Sequence, residues 1–141
     1  MVTAAVAVVI AGLLLALVLA VAYDPAPGPA DVAFGYELAW DHFDFASLWT
    51  LSGDELRDGL GCKDFVAAKR AAYAGRHGLG NLTQHVAVES VDARGTAAVV
   101  RTRVDLHDGD VAHNEMYLTK RGGRWVVVDY RLRSDTSPVT P

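Results

Sequence analysis

The sequence predicts an α+β domain carried behind an N-terminal transmembrane helix, with three helices packed on a four-stranded antiparallel sheet. Three observations predict it. Residues 2–23 contain no charged side chain, residues 31–77 space their apolar side chains at helical intervals, and residues 82–133 alternate apolar and polar in four runs parted by short turns. The chain's 141 residues suffice for one domain and not for two.

The apolar run VTAAVAVVIAGLLLALVLAVAY comes first. As a helix rising about 1.5 Å per residue it reaches roughly 33 Å, enough for a hydrocarbon core of about 30 Å. A cleaved signal peptide is the alternative, because Ala20-Val21-Ala22 offers the small-x-small pattern before Tyr23. Two features favour a retained anchor over residues 1–23. The run exceeds the apolar core of a signal, and no Lys or Arg precedes it. The free amine on one side and Asp24 and Asp31 on the other place the domain outside the cytoplasm of a single-pass cell-membrane protein. Residues 24–31, DPAPGPAD, cannot continue a helix and read as a stiff, Pro-rich linker.

Asp31 is the expected cap of a helix running to Phe43, with Val32, Tyr36, Ala39, Trp40 and Phe43 on its apolar face. At 100° per residue, Glu37, Asp41 and Asp44 form an acidic stripe facing solvent and His42 points away from it. Asp44 caps a short helix over 45–51, which Ser52-Gly53 ends, and SGDELRDGLG makes a polar connection. The third helix starts near Asp64, buries Phe65, Ala68, Ala72 and Tyr73, and ends in the glycines of 75–80.

Strands are expected over 82–91, 95–106, 111–120 and 124–133, joined as successive hairpins. A three-residue loop over 107–109 with Gly109 in the left-handed region sets Val100 opposite Met116, Ala98 opposite Leu118 and Arg101 opposite Glu115. The covered face then reads Ala98, Val100, Val104, Leu106, Met116, Leu118, Val126, Val128, Tyr130 and Leu132. The other carries Arg101, Arg103, Asp105, His113, Glu115, Asp129 and Arg131. Residues 134–141 form a polar tail expected to be disordered.

Charge and cysteine content narrow the function. The net charge of −4 divides into −7 over residues 24–64 (nine acids, two bases) and +3 from Phe65 onward (eleven bases, eight acids). That asymmetry suits pairing within the fold, and with no long basic run it excludes nucleic acid as a partner. Cys62 stands alone, so there is no internal disulfide and no paired-cysteine metal knuckle. Arg outnumbers Lys ten to three and Ala and Val abound, which points to a bacterial source of high GC content.

Three segments carry a resemblance: AWDHFDFASLW, DFVAAKRAAYAG and the closing hairpin MYLTKRGGRWVVVDYRL. Together, and in this order, they are similar to the nuclear-transport-factor-2-like superfamily, also called ketosteroid-isomerase-like or SnoaL-like. More narrowly they resemble membrane-anchored bacterial members of unassigned activity. The likeness covers residues 31–133, and the domain is set at 32–133. It implies a curved sheet wrapped round a long helix, a cone-shaped, cystatin-like layout with a conical pocket. That fold hosts isomerases, dehydratases, epoxide hydrolases and non-catalytic binding or assembly modules, so residues must choose among them.

Enzymes of this type project a carboxylate base and a hydrogen-bond donor into the pocket. Here the inward sheet face offers Thr102, Asn114, Tyr130 and Gln84, with every sheet carboxylate pointing outward, so no catalytic residue is assigned. No cofactor or metal is expected, since Asp41, His42 and Asp44 do not converge. The ligand-pocket residues are Tyr36, Trp40, His42, Trp49, Thr102, Asn114, Met116 and Tyr130. The resulting expectation is a membrane-anchored, extracytoplasmic binding or assembly module, non-catalytic. Its partners would be the bilayer through residues 2–23, a second copy or an unidentified envelope protein, and a small apolar ligand. The alternative is a small hydrolase, dehydratase or isomerase acting on an apolar molecule in the cone.

Overall fold

A computed structural model describes residues 2–22 and 26–133, with the α1 side chains described at Val6 and over 8–19. The order is α1 (Val2–Ala22), α2 (Pro29–Asp41), α3 (Phe45–Leu51), α4 (Cys62–Tyr73), β1 (Thr83–Arg94), β2 (Ala97–Leu106), β3 (Val111–Arg121) and β4 (Arg124–Arg133). Among the described residues no helix is long and apolar enough to cross a membrane. The span expected over 2–23 therefore gains no support from them, and the tail 134–141 lies outside them.

α2 begins earlier than the sequence suggested. Pro29 takes the first helical position, where its missing N–H costs nothing, and Gly28 is the cap. Asp31 sits three residues inside, and its carboxylate accepts the Gly28 N–H at 2.9 Å, so it closes the helix start from within. The helix therefore takes in residues 29–31, the last three of the segment expected as linker.

The helix also stops at Asp41, short of the expected Phe43. Asp44 N–H bonds back to the Ala39 carbonyl at 2.8 Å and Phe43 N–H to the Trp40 carbonyl at 3.2 Å, the paired bonds of a Schellman ending. The left-handed residue this ending requires is Phe43 itself, at φ 54°, where glycine is usual. Its ring stacks on Phe45 at 5.7 Å and meets Tyr73 at 5.4 Å, contacts that offset a backbone cost of roughly 1–2 kcal/mol. Asp44 then caps α3, accepting the Ser47 N–H at 3.1 Å.

The four strands form one antiparallel meander in sequence order. Val100 faces Met116, Ala98 faces Leu118 and Arg101 faces Glu115, the register expected from a three-residue loop, and Gly109 holds φ 94°. Two details differ. β1 runs on to Arg94, paired with Ala97, so the first hairpin turns on Gly95-Thr96 and not on 92–94. In β4 a register shift beside Tyr117 and Leu118 makes Val128 the extra residue. Its consequence is a shift of face: Val127 is fully buried and Val126 stays buried beside it, whereas Val128, expected inward, is only half-buried. Gly53 N–H reaches the Val127 carbonyl at 2.7 Å, which stitches the end of α3 to the bulge.

α2 lies in the concavity of the curved sheet, and α3 and α4 close over it. The core joins Val32, Ala33, Tyr36 and Ala39 of α2 to Phe45, Leu48 and Phe65 of the covering helices, and to Ala98, Val100, Met116, Leu118 and Val127 of the sheet. Each large side chain so buried contributes roughly 1.5–3 kcal/mol. Because α2 is enclosed on both sides, its buried arc is wide enough to include Tyr36 and Glu37, neighbours in sequence.

Candidate functional site

Glu37 is the centre of the site, and it is not where the helical spacing placed it. It was expected in a solvent-facing acidic stripe with Asp41 and Asp44, yet the residue is only 6% exposed and points at the sheet. The reason is geometric: a helix wrapped by a curved sheet buries more than one narrow stripe. Thr102 Oγ1 donates to Glu37 Oε1 at 2.6 Å, Asn114 Nδ2 donates to the same oxygen at 2.8 Å, and the Tyr130 hydroxyl donates to Oε2 at 3.2 Å. The carboxylate that meets the sheet's inward polar groups is thus supplied by α2 and not by a strand.

The electrostatics follow from that burial. Desolvation pushes the Glu37 carboxyl above its ordinary range, and the bonds from Thr102, Asn114 and Tyr130 pull the other way without cancelling it. Burial likewise raises the Tyr36 and Tyr130 phenols, with the Glu37 charge adding to Tyr130, so both stay protonated donors. Asn114 keeps one atom unmatched. Its Oδ1 is buried and has no hydrogen-bond partner among the described residues, although its amide nitrogen bonds Glu37.

Glu37 and Asn114 open into a cleft of about 270 Å³, walled by Trp40, Phe43, Tyr73 and Tyr130 and rimmed by Leu106, Ala112 and Leu132. A second hollow of about 420 Å³ shares Trp40, Tyr73 and Tyr130 and adds Tyr36, Leu48, Phe65 and Lys69. The aromatic wall between them is continuous: Trp40 packs edge-on to Phe45 at 6.3 Å and tilts against Tyr73 at 5.8 Å, and Tyr36 lies 5.7 Å from Tyr130.

Of the residues singled out from sequence, Tyr36, Trp40, Asn114 and Tyr130 border these hollows. Thr102 is fully buried beneath the floor and acts through Glu37. Met116 is fully buried in the core. His42 lies outside the hollow, its side chain 57% exposed beside Asp41. Trp49 is turned to the connection after α3, where its Nε1 donates to the Leu60 carbonyl at 2.9 Å and Arg57 stacks on its ring at 3.8 Å. Gln84 is exposed.

Asp41 has a positioning role. Its Oδ1 accepts the Leu82 and Thr83 N–H groups at 2.9 and 3.0 Å, and its carbonyl accepts the Asn81 N–H at 2.8 Å, so the end of α2 is fastened to the start of β1. The stretch AWDHFDFASLW is therefore part wall, part latch and part cap. Among the described residues no group of His, Cys, Asp and Glu is disposed to hold a metal ion.

No family model and no curated protein sequence matches the chain. Solved structures do. An NTF2-like protein of unknown function from Shewanella oneidensis MR-1 is 22% identical, with a TM-score of 0.52 over 72% of this chain and 92% of its own. A Campylobacter jejuni protein described as a candidate NTF2-like transpeptidase is 20% identical, with a TM-score of 0.51 over 72% of this chain and 97% of its own. A SEC-C motif containing protein from Rhodopseudomonas palustris is 17% identical, with a TM-score of 0.52 over 75% and 79%. At these identities the likeness establishes the NTF2-like fold and nothing of activity.

Proposed function

We propose that the chain is a membrane-anchored, extracytoplasmic binding module that takes a small, largely apolar molecule into the cone against the Glu37 floor. One observation carries the binding reading: an aromatic-walled cleft of about 270 Å³ converges on buried polar groups. The anchor rests on the uncharged run over residues 2–23, and the orientation on Asp24 and Asp31 flanking it. A second copy or an envelope protein against the outer sheet face belongs to the same proposal.

Catalysis is the second reading, and Glu37 is what favours it. A buried carboxyl with a raised pKa at a cleft suits proton transfer. Against it, Thr102 and Tyr130 spend their hydroxyl protons on Glu37 and Asn114 spends one N–H there, so neither hydroxyl is turned toward a substrate oxygen. Asp41 is likewise committed to the backbone of Leu82 and Thr83.

Native mass spectrometry of the full chain extracted in detergent tests both parts of the proposal. The expected spectrum shows a chain that retains residues 2–23 and a small-molecule adduct that Ala112→Phe, which fills the cleft, abolishes. A mature chain starting at Tyr23 would remove the anchor, and an adduct unaffected by Ala112→Phe would remove this cleft as the site.

A further inference from the structure

We infer that the cone's ligand is an organic amine, bound as its ammonium ion with the charge at Glu37 and the apolar body against the aromatic wall. The inference rests on the binding reading above and names the class of ligand. Its first support is the sign of the lining. Among the described residues the cleft presents two carboxylates, Glu37 and Asp41, and no Lys, Arg or His. Glu37 is buried, and the bonds it accepts come from the neutral donors Thr102, Asn114 and Tyr130. A buried carboxylate without a cation is an expensive arrangement, and a cationic ligand would supply the missing charge.

The second support is independent of charge. Among the described residues Asn114 Oδ1 is a buried acceptor without a partner, on a residue 3% exposed that lines the same cleft. An orphan acceptor calls for a ligand N–H or O–H, and a ketone or ether would leave it unmatched. The third is shape. Trp40, Phe43, Tyr73 and Tyr130 present the ring surfaces that favour ammonium groups and the carbon atoms next to them. An alcohol would meet only the second condition. An amine meets all three.

The test uses three matched probes at neutral pH on the full chain in detergent, 2-phenylethylamine, 2-phenylethanol and phenylacetate, with dissociation constants from calorimetric titration. The amine is expected to bind at least about tenfold more tightly than the alcohol and phenylacetate weakest of all, a tenfold ratio being one charge-assisted contact. Glu37→Gln should erase the preference for the amine over the alcohol, since the shape is retained and the charge is lost. Ala112→Phe should weaken all three. An alcohol or phenylacetate that binds as tightly as the amine overturns the amine assignment and leaves the binding reading standing. Binding of none of the probes, or binding indifferent to Ala112→Phe, overturns both. The ratio in the unmodified protein decides the question even if a variant fails to fold.

Discussion

Glu37 and Glu115 are carboxylates bonded to tyrosines on opposite faces of one sheet, and their chemistry diverges completely. Inside, Glu37 accepts from Tyr130, Thr102 and Asn114, and burial raises its pKa. Outside, Glu115 accepts from Tyr117 and from Arg101 at 2.8 Å, and those bonds, with the nearby guanidinium charges, lower it. Asn114 and Glu115 are consecutive on β3, so a single peptide step separates the two environments. The donors are alike. What differs is water and a cation, and those decide whether a carboxylate is a settled surface charge or an unsettled one that a proton or a ligand can satisfy.

The largest expected effect comes from taking a donor away from the inner carboxylate. Thr102→Val keeps the shape of a fully buried side chain and removes the 2.6 Å bond to Glu37. Removing a bond to a charged acceptor in the core should lower unfolding free energy by about 2 kcal/mol, read from urea titrations followed by tryptophan fluorescence. The loss should grow with pH, because the remaining carboxylate needs its donors most when ionised. A loss independent of pH would mean that Glu37 does not titrate in the folded protein.

Glu37→Gln should act in the opposite direction. The folded pKa is raised, so between the unfolded value near 4.5 and the folded one the native state holds more protons than the unfolded chain. Stability then falls as pH rises through that window and is flat above it. Glutamine has no such window. The variant should match the parent below pH 4.5 and exceed it in stability at pH 8. A variant less stable than the parent at pH 8 would make the charge itself a net stabiliser and would undo the contrast between the two faces.

The sequence made one of these regions legible and concealed the other. The outer face could be read because Arg101 and Glu115 attract one another at a register that also pairs Val100 with Met116, so charge and burial gave the same answer. The inner face could not, because helical spacing alone gives α2 one narrow apolar side. Trp40 and Tyr36 fixed that side, and Glu37, 100° from Tyr36, fell to solvent on paper. A signal was nevertheless present. Thr102 and Asn114 both pointed inward from adjacent strands, directly opposite one another, and two buried polar side chains require a polar partner from the helix that covers them. The bulge at Val128 had no comparable signal, since VVV carries no alternation to betray an extra residue. Nor did the left-handed Phe43, held in place by rings from elements not adjacent in sequence.

Smaller effects are expected where water already shares the work. Glu115→Gln should cost about 0.5–1 kcal/mol at pH 7. Here the folded pKa is lowered, so the contribution is present above the unfolded value near 4.5 and is lost as pH falls through the folded one. The variant and the parent should thus converge in acid, whereas the Glu37 pair parts only above it. Overlaying the two stability-against-pH differences is the direct measurement, and curves of the same sign would erase the distinction.

The smallest change should come from Glu55, which joins the acidic first half of the chain to the basic second. Arg121 bonds both of its carboxylate oxygens and holds its pKa down to about 2. Such a depression looks large, yet both side chains are nearly half exposed, at 43% and 47%, where water and salt screen the pair. Glu55→Gln should therefore lower stability by no more than about 0.5 kcal/mol at low salt and by nothing measurable at 1 M salt. Its contribution, like that of Glu115, is present above about pH 4.5 and lost toward pH 2. A loss of 2 kcal/mol that survives high salt would show this edge to be as shielded from water as the floor of the cone, and burial would then fail as the property that separates Glu37 from the rest.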